Sequence, residues 1–262
     1  MPDSSSHDAL YREGMEFIEA GKFDQALANF QLVMARDPAH LNARLQAGVC
    51  LLALERYGES AEALEKAIEL GADDAVFFFL LAEVYNQLED YARAAEALEQ
   101  GIQHSPEAIP EVFVNLGSLY YEMERYLESV AALKQALALK PGDADAWFNL
   151  GTTYTAMKQF PEAVAAYEQV VQQHPDDAET YRRLGWACLY AERNPEALAA
   201  LQRSLQLEPE KADSHYALGV AFAVQGDADA AQRQIEILSD LDPGLAEALR
   251  VVISAGEDGE ES

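Results

Sequence analysis

The sequence predicts an all-α protein assembled from repeated helix–turn–helix units, and three observations predict it. First, small residues return at a near-constant interval: Gly14, Gly48, Ala82, Gly117, Gly151, Gly185 and Gly219 are spaced by 34, 34, 35, 34, 34 and 34 residues. A fixed period of this size marks an array of one supersecondary unit. Second, apolar residues recur at helical spacing inside each interval, as in Trp147, Leu150 and Tyr154 and then Ala163, Tyr167 and Val170. That pattern makes two amphipathic helices per interval. Third, proline punctuates the intervals at Pro38, Pro106, Pro141, Pro175, Pro209 and Pro243, with Ala72 as the departure.

Taken in chain order, residues 1–6 are polar and expected to be disordered. Repeats follow at approximately 7–40, 41–74, 75–109, 110–143, 144–177, 178–211 and 212–245, a solenoid over 7–244. In each repeat a second small residue follows the first by twelve positions: Ala26, Ser60, Ala94, Ser129, Ala163, Ala197 and Ala231. Both small residues belong where the two helices cross, because a larger side chain there would hold the axes apart. An aromatic series runs through Phe23, Tyr57, Tyr91, Tyr126 and Phe160 and lapses at Asn194 and Ala228. Proline ends the second helix or opens the next repeat, since it cannot continue a helix interior. Gly71 ends the helix in the second repeat, where proline is missing. Asp143-Ala144-Asp145 and Asp176-Asp177 supply N-caps and complement the helix dipole. One extra residue falls between Pro106 and Pro110. Leu245, Leu249 and Val252 recur at i, i+4 and i+7, which makes residues 245–255 a capping helix over the last apolar face. Residues 256–262 are expected to be a solvated, disordered acidic tail.

The chain has 262 residues, 46 acidic side chains against 18 basic ones, and a formal net charge of −28. Such a surface repels phosphate backbones and anionic leaflets, which argues against nucleic-acid binding and membrane association. The longest apolar run, Ala75 to Ala82, is far too short to cross a bilayer. Met1-Pro2-Asp3-Ser4-Ser5-Ser6 has neither a basic nor an apolar signal region, so the expected location is the cytoplasm. Two distant cysteines, Cys50 and Cys188, make neither a disulfide framework nor a zinc pattern.

In its combined glycine, alanine, aromatic and proline slots the sequence resembles the tetratricopeptide repeat family. The segment 144–175 matches most fully, through Trp147, Leu150, Gly151, Tyr154, Phe160, Ala163, Tyr167 and Pro175. The resemblance implies a right-handed superhelical solenoid of seven repeats plus a capping helix, whose first helices line a concave groove. It also implies a non-catalytic scaffold or adaptor that binds a partner peptide or helix there. An alternative is a chaperone or assembly factor for a secretion, pilus or other complex subunit. A third reading is a regulatory subunit that binds through its acidic convex face. A capped C-terminus argues for a monomer.

Transferred by register, the groove slots include Phe79, Leu80, Glu83 and Asn86 in the third repeat and Val114, Asn115, Ser118, Tyr121 and Glu122 in the fourth. They continue with Phe148 and Asn149, then Arg182, Arg183, Trp186 and Tyr190, then Tyr216. The expected binding residues are Phe79, Asn115, Tyr121, Phe148, Asn149, Arg182, Arg183, Trp186, Tyr190 and Tyr216. Aromatics and arginine dominate interface energies, and an asparagine amide can hold a peptide main chain without reading its side chains. Family members that bind chaperone C-termini use a carboxylate clamp. Here Asn149 and Arg183 match two of its five slots, whereas Val114, Ser118 and Glu179 do not, so the clamp is not expected. Arg182 and Arg183 could equally pair with Glu179 and Glu192. In the run Phe77-Phe78-Phe79-Leu80-Leu81, Phe78 and Leu81 should enter the core while Phe79 and Leu80 form an exposed apolar pair. The five histidines fall mostly between repeats without metal-ligand spacing, and neither a P-loop nor a nucleophile elbow occurs. No enzyme activity, cofactor or metal is expected.

Overall fold

The computed structural model describes residues 4–105 and 107–260, and Pro106 lies outside the described residues. The chain divides into two compact blocks, Met1–Ala132 and Leu133–Ser262. Helices account for nearly all of the described residues, as expected. The first block holds α1 (Ser4–Glu19), α2 (Phe23–Arg36), α3 (Leu41–Ala53), α4 (Tyr57–Glu69), α5 (Ala75–Gln87), α6 (Tyr91–His104) and α7 (Pro110–Glu122). Helix α8 (Tyr126–Leu139) carries the block boundary. The second block holds α9 (Ala144–Ala156), α10 (Phe160–Gln173), α11 (Ala178–Tyr190), α12 (Asn194–Leu207), α13 (Ala212–Gln225), α14 (Ala228–Leu241) and α15 (Pro243–Glu260). From α1 to α7, and again from α9 to α15, each helix packs on the one before it. Helix therefore begins at Ser4 and extends through Glu260, over residues the sequence assigned to a polar start and an acidic tail. Residues 1–3 and 261–262 lie outside the described residues.

The helix ends follow from local chemistry. Asp143 and Asp177 accept the backbone N–H of Ala146 and Thr180 at 3.0 and 3.1 Å, as the sequence led us to expect. Asp74, Asp90 and Asp227 cap α5, α6 and α14 in the same manner, and His40 caps α3 by accepting Ala43 N–H on Nδ1. Gly71, at φ 95°, closes α4 where the proline is missing. The turns inside the helix pairs share one device that sequence reasoning missed. Gly21, Glu55, Glu89, Glu124, Lys158, Glu192 and Gly226 all adopt positive φ, between 57° and 80°, at the same repeat slot. The residue after each donates back into the first helix, for example Arg56 N–H to Leu51 O at 2.8 Å. This left-handed closure satisfies orphan carbonyls and favours glycine, yet five of the seven residues carry a side chain.

The small series packs as expected, with a refinement. Ala26, Ala94, Ala163, Ala197 and Ala231 are fully buried, and Ser60 Oγ donates to Gly48 O at 2.8 Å across the α3–α4 crossing. At four of the glycines the space is filled by a large residue one turn further along the second helix. A Cβ on Gly14, Gly48, Gly151 or Gly185 would meet Phe30, Leu64, Tyr167 or Leu201 at 2.5–2.9 Å. At Gly219 the filler is Leu249 of α15, fully buried in a cluster with Ile235, Leu238 and Ala246. Phe77, Phe78 and Leu81 are buried, but Phe79 and Leu80 are half-buried, not the exposed pair expected. For Phe79 the reason is Gly101 of α6: with no side chain there, the Phe79 ring settles onto the helix, 2.4 Å from where a Cβ would stand. Val114, another of the groove slots, is buried as well.

Neighbouring helix pairs are also tied laterally. Tyr85 donates its hydroxyl to Glu65, and Tyr120 donates to Glu99. The Arg93 and Arg125 guanidinium groups lie 4.4 and 4.5 Å from the Tyr85 and Tyr120 ring centroids. In the second block Lys134 lies over Tyr154 at 5.8 Å, and Arg193 reaches Glu168 at 3.3 Å.

Candidate functional site

The expected binding residues fall into separate groups, each within one block. In the first block, α5, α6 and α7 enclose a cleft of about 310 Å³. Ala82, Leu98 and Leu119 are its buried floor, Phe79 and Tyr91 its half-buried walls, and Glu83, Asn86, Asn115 and Glu122 its exposed rim. Phe79 and Asn115 thus meet as expected. Tyr121 does not join them: it is half-buried and tilts against Tyr126, with ring centroids 5.7 Å apart.

In the second block α9 and α11 bring Phe148 and the two arginines together. Arg183 lies over the Phe148 ring, 5.1 Å from its centroid. Both arginines bond to Glu179: Arg182 Nη2 at 2.6 Å and Arg183 Nε at 2.8 Å. Of the two partners the sequence offered, Glu179 takes both, because i,i+3 and i,i+4 place them on one helix face. Glu192 instead closes the α11–α12 turn at φ 58°. The Phe148 ring meets Tyr167 edge-on at 5.9 Å, and the Tyr167 hydroxyl shares a 3.2 Å hydrogen bond with Thr152 Oγ1. Asn149 is half-buried on α9, and its carbonyl accepts Thr153 Oγ1–H.

The aromatics of α11 and α13 form a continuous run. Trp186 stacks on Tyr190 with centroids 5.9 Å apart and tilts against Tyr216 at 6.1 Å. Phe160 of α10 extends the run by stacking on Tyr190 at 4.8 Å. Tyr190 is 57% exposed, whereas Trp186 and Tyr216 are half-buried and also pack on core clusters. Sequence reasoning placed Phe160 in a structural aromatic series and so missed its contact with Tyr190. Its position at the first residue of α10, where the turn brings it back beside the end of α11's aromatic face, is a tertiary fact.

Nucleophile chemistry finds no support at the cysteines. Cys50 and Cys188 are buried, and burial pushes both thiols up to about 11, away from the reactive thiolate. His215 lies on α13, not between repeats, and is buried with its ring nitrogens 2.8 Å from Gln234 Oε1 and Pro209 O. Among the described residues no three ligating side chains gather to hold a metal, and no helix is long and apolar enough to cross a membrane.

Comparison with known proteins accords with this geometry. Solved structures share the fold. The C-terminal part of a TPR repeat-containing protein from Cytophaga hutchinsonii superposes with a TM-score of 0.77 at 13% identity, covering 89% of this chain and 95% of that one. YrrB, described as a TPR protein with an unusual peptide-binding site, gives 0.64 at 20% identity over 72% of this chain and 96% of its own. In sequence, the chain is 27% identical over 179 residues to the peroxisomal targeting signal receptor of Debaryomyces hansenii. That match takes in 52% of this chain and 30% of the receptor. Tetratricopeptide repeat profiles match residues 11–75, 51–109 and 120–185, and a TPR repeat profile matches 187–226. Profiles that together run along most of the sequence, on helix pairs whose glycines and alanines sit at the crossings, place the chain in the tetratricopeptide repeat family.

Proposed function

We propose that this protein is a non-catalytic interaction scaffold that binds a partner protein, as a peptide or a helix, through the first-helix faces of its repeats. The family generally mediates protein–protein interaction. The reading includes seven repeats closed by α15 as a cap, acting as a monomer in the cytoplasm. The observation that carries it is the aromatic run of Phe160, Tyr190, Trp186 and Tyr216, which ends in a tyrosine ring left 57% exposed. A partly exposed, mutually stacked set of rings offers a large rigid contact area at low entropic cost, the kind of anchor that dominates interface energies. Arg183 adds a guanidinium face beside Phe148 and shares the Glu179 carboxylate with Arg182. Glu179 stands in a slot where the carboxylate clamp needs a cation, so the clamp-like use of Arg183 has no support.

Tyr190 is the cleanest probe, because its exposed ring contributes little to the core. A paired affinity capture from source lysate, wild type against Tyr190→Ala with Trp186→Ala, identifies the partner. The purified partner is then titrated against both proteins. We expect the variant to keep its helicity and to lose affinity at least about tenfold, the scale of one interface anchor. Equal affinity with intact helicity would overturn the assignment.

A further inference from the structure

We propose that the cleft of the first block is a subsite for a cationic side chain, the lysine or arginine of an extended partner segment. This deepens the scaffold reading and rests on it. At about 310 Å³ the cleft is at the small end of ligand pockets. It therefore suits one long side chain, not a folded element. Its form fits such a group from bottom to top. Ala82, Leu98 and Leu119 make an apolar floor, and the Phe79 and Tyr91 rings flank the space where an aliphatic stem would lie. A cation beside such rings gains further from their quadrupoles. Glu83 and Glu122 stand at the rim with the amides of Asn86 and Asn115.

The charge at this place has no answer from within the cleft. Glu59, Asp90, Glu128 and Glu196 each pair with an arginine three residues away, Arg56, Arg93, Arg125 and Arg193. No lysine or arginine lines the cleft. Among the described residues neither Glu83 nor Glu122 meets a cation, and Glu83 accepts only the Gln87 amide, at 2.8 Å. Two carboxylates at the mouth of an apolar-floored cleft with no internal counter-charge leave the position of the cation open. The two rim amides can hold the flanking main chain on either side, since each has a donor and an acceptor.

The test uses fluorescein-labelled nonapeptides of glycine, serine and leucine with one central residue: lysine, arginine, N-acetyl-lysine or glutamate. Binding to the full chain is followed by anisotropy at two salt concentrations. We expect the lysine and arginine peptides to bind, the acetylated and glutamate peptides to bind at least about tenfold more weakly, and added salt to reduce the difference. Glu83→Gln with Glu122→Gln keeps shape and hydrogen bonding and should abolish the preference. Glu13→Gln with Glu16→Gln on α1 removes the same charge elsewhere and should leave it intact. Equal losses in both double variants would mean diffuse attraction to an acidic surface and would overturn the subsite. No binding by wild type, or no lysine preference, would also overturn it. The tyrosine–tryptophan variant of the second block tests the scaffold reading separately, so the two can fail independently.

Discussion

Replacing Gly151 tests the packing register at the centre of the second block. A Cβ built there lies 2.7, 2.8 and 2.9 Å from Cε1, Cδ1 and Cζ of Tyr167. The Tyr167 ring cannot swing aside freely: it is 1% exposed, meets Phe148 edge-on and is hydrogen-bonded to Thr152. For Gly151→Ala, helix propensity favours alanine by about 1 kcal/mol, while overpacking costs about 1–3 kcal/mol. The net expectation is a loss of up to about 2 kcal/mol. Gly151→Leu drives more atoms into the same space and should cost about 1–3 kcal/mol or more. The third repeat supplies an internal control, since Ala82 and Leu98 occupy the equivalent slots and are both buried. The double variant Gly151→Ala with Tyr167→Leu recreates that pair and should lose less than the two single changes added together. A coupling of about 1 kcal/mol is expected for residues in direct contact. The assay is denaturant unfolding followed by far-UV circular dichroism, with hydrogen exchange on α9 and α10 to localise the effect, because repeat arrays need not unfold in one step. An unchanged or higher midpoint for Gly151→Leu, or strict additivity in the cycle, would refute the reasoning.

Other predictions concern the turns and the lateral ties. Glu89 and Lys158 hold φ of 57° and 58° in turns where Gly21 and Gly226 serve elsewhere. Glu89→Gly and Lys158→Gly should each stabilise by about 0.5–1 kcal/mol, and Gly226→Ala should destabilise similarly, read from thermal midpoints. Lower midpoints for both glycine variants would show that these side chains contribute contacts exceeding the strain. Burial, and next the hydrogen bond to Glu65 or Glu99, pushes the phenols of Tyr85 and Tyr120 up to about 12 from the ordinary 10. A raised folded value means that their contribution is fully present below pH 10 and is lost as pH rises toward 12. Absorbance titration should therefore show these two tyrosinates forming late, near pH 12, and Tyr85→Phe with Tyr120→Phe should diminish that late step. Early titration of all tyrosines in the folded protein would contradict the buried contacts.

The candidate site was legible in part. Register transfer picked out Phe79 and Asn115, which share a cleft, and Trp186, Tyr190 and Tyr216, which share an aromatic run. It misjudged Val114 and Leu80, because a slot in the repeat predicts direction and not depth. Val114 is buried and Leu80 half-buried by neighbours whose sizes the register does not encode. Phe79 shows the same effect, drawn onto α6 by the missing side chain of Gly101.

What the sequence by itself determined is the repeating architecture. Periodic small residues at helix crossings, helical apolar spacing and proline punctuation are local patterns written many times over, so each copy supports the others. The caps at Asp143 and Asp177 were equally legible, because capping acts over three residues. Only the tertiary structure decided which side chain fills each glycine's space, how Glu179 is shared between Arg182 and Arg183, and where Phe160 meets Tyr190. The left-handed turn residues also emerged only there, since five of seven bear side chains that propensity disfavours at positive φ. These outcomes depend on the volumes and charges of particular neighbours brought together by packing. A periodic pattern repeats the helix positions, but it leaves those neighbours different in every repeat.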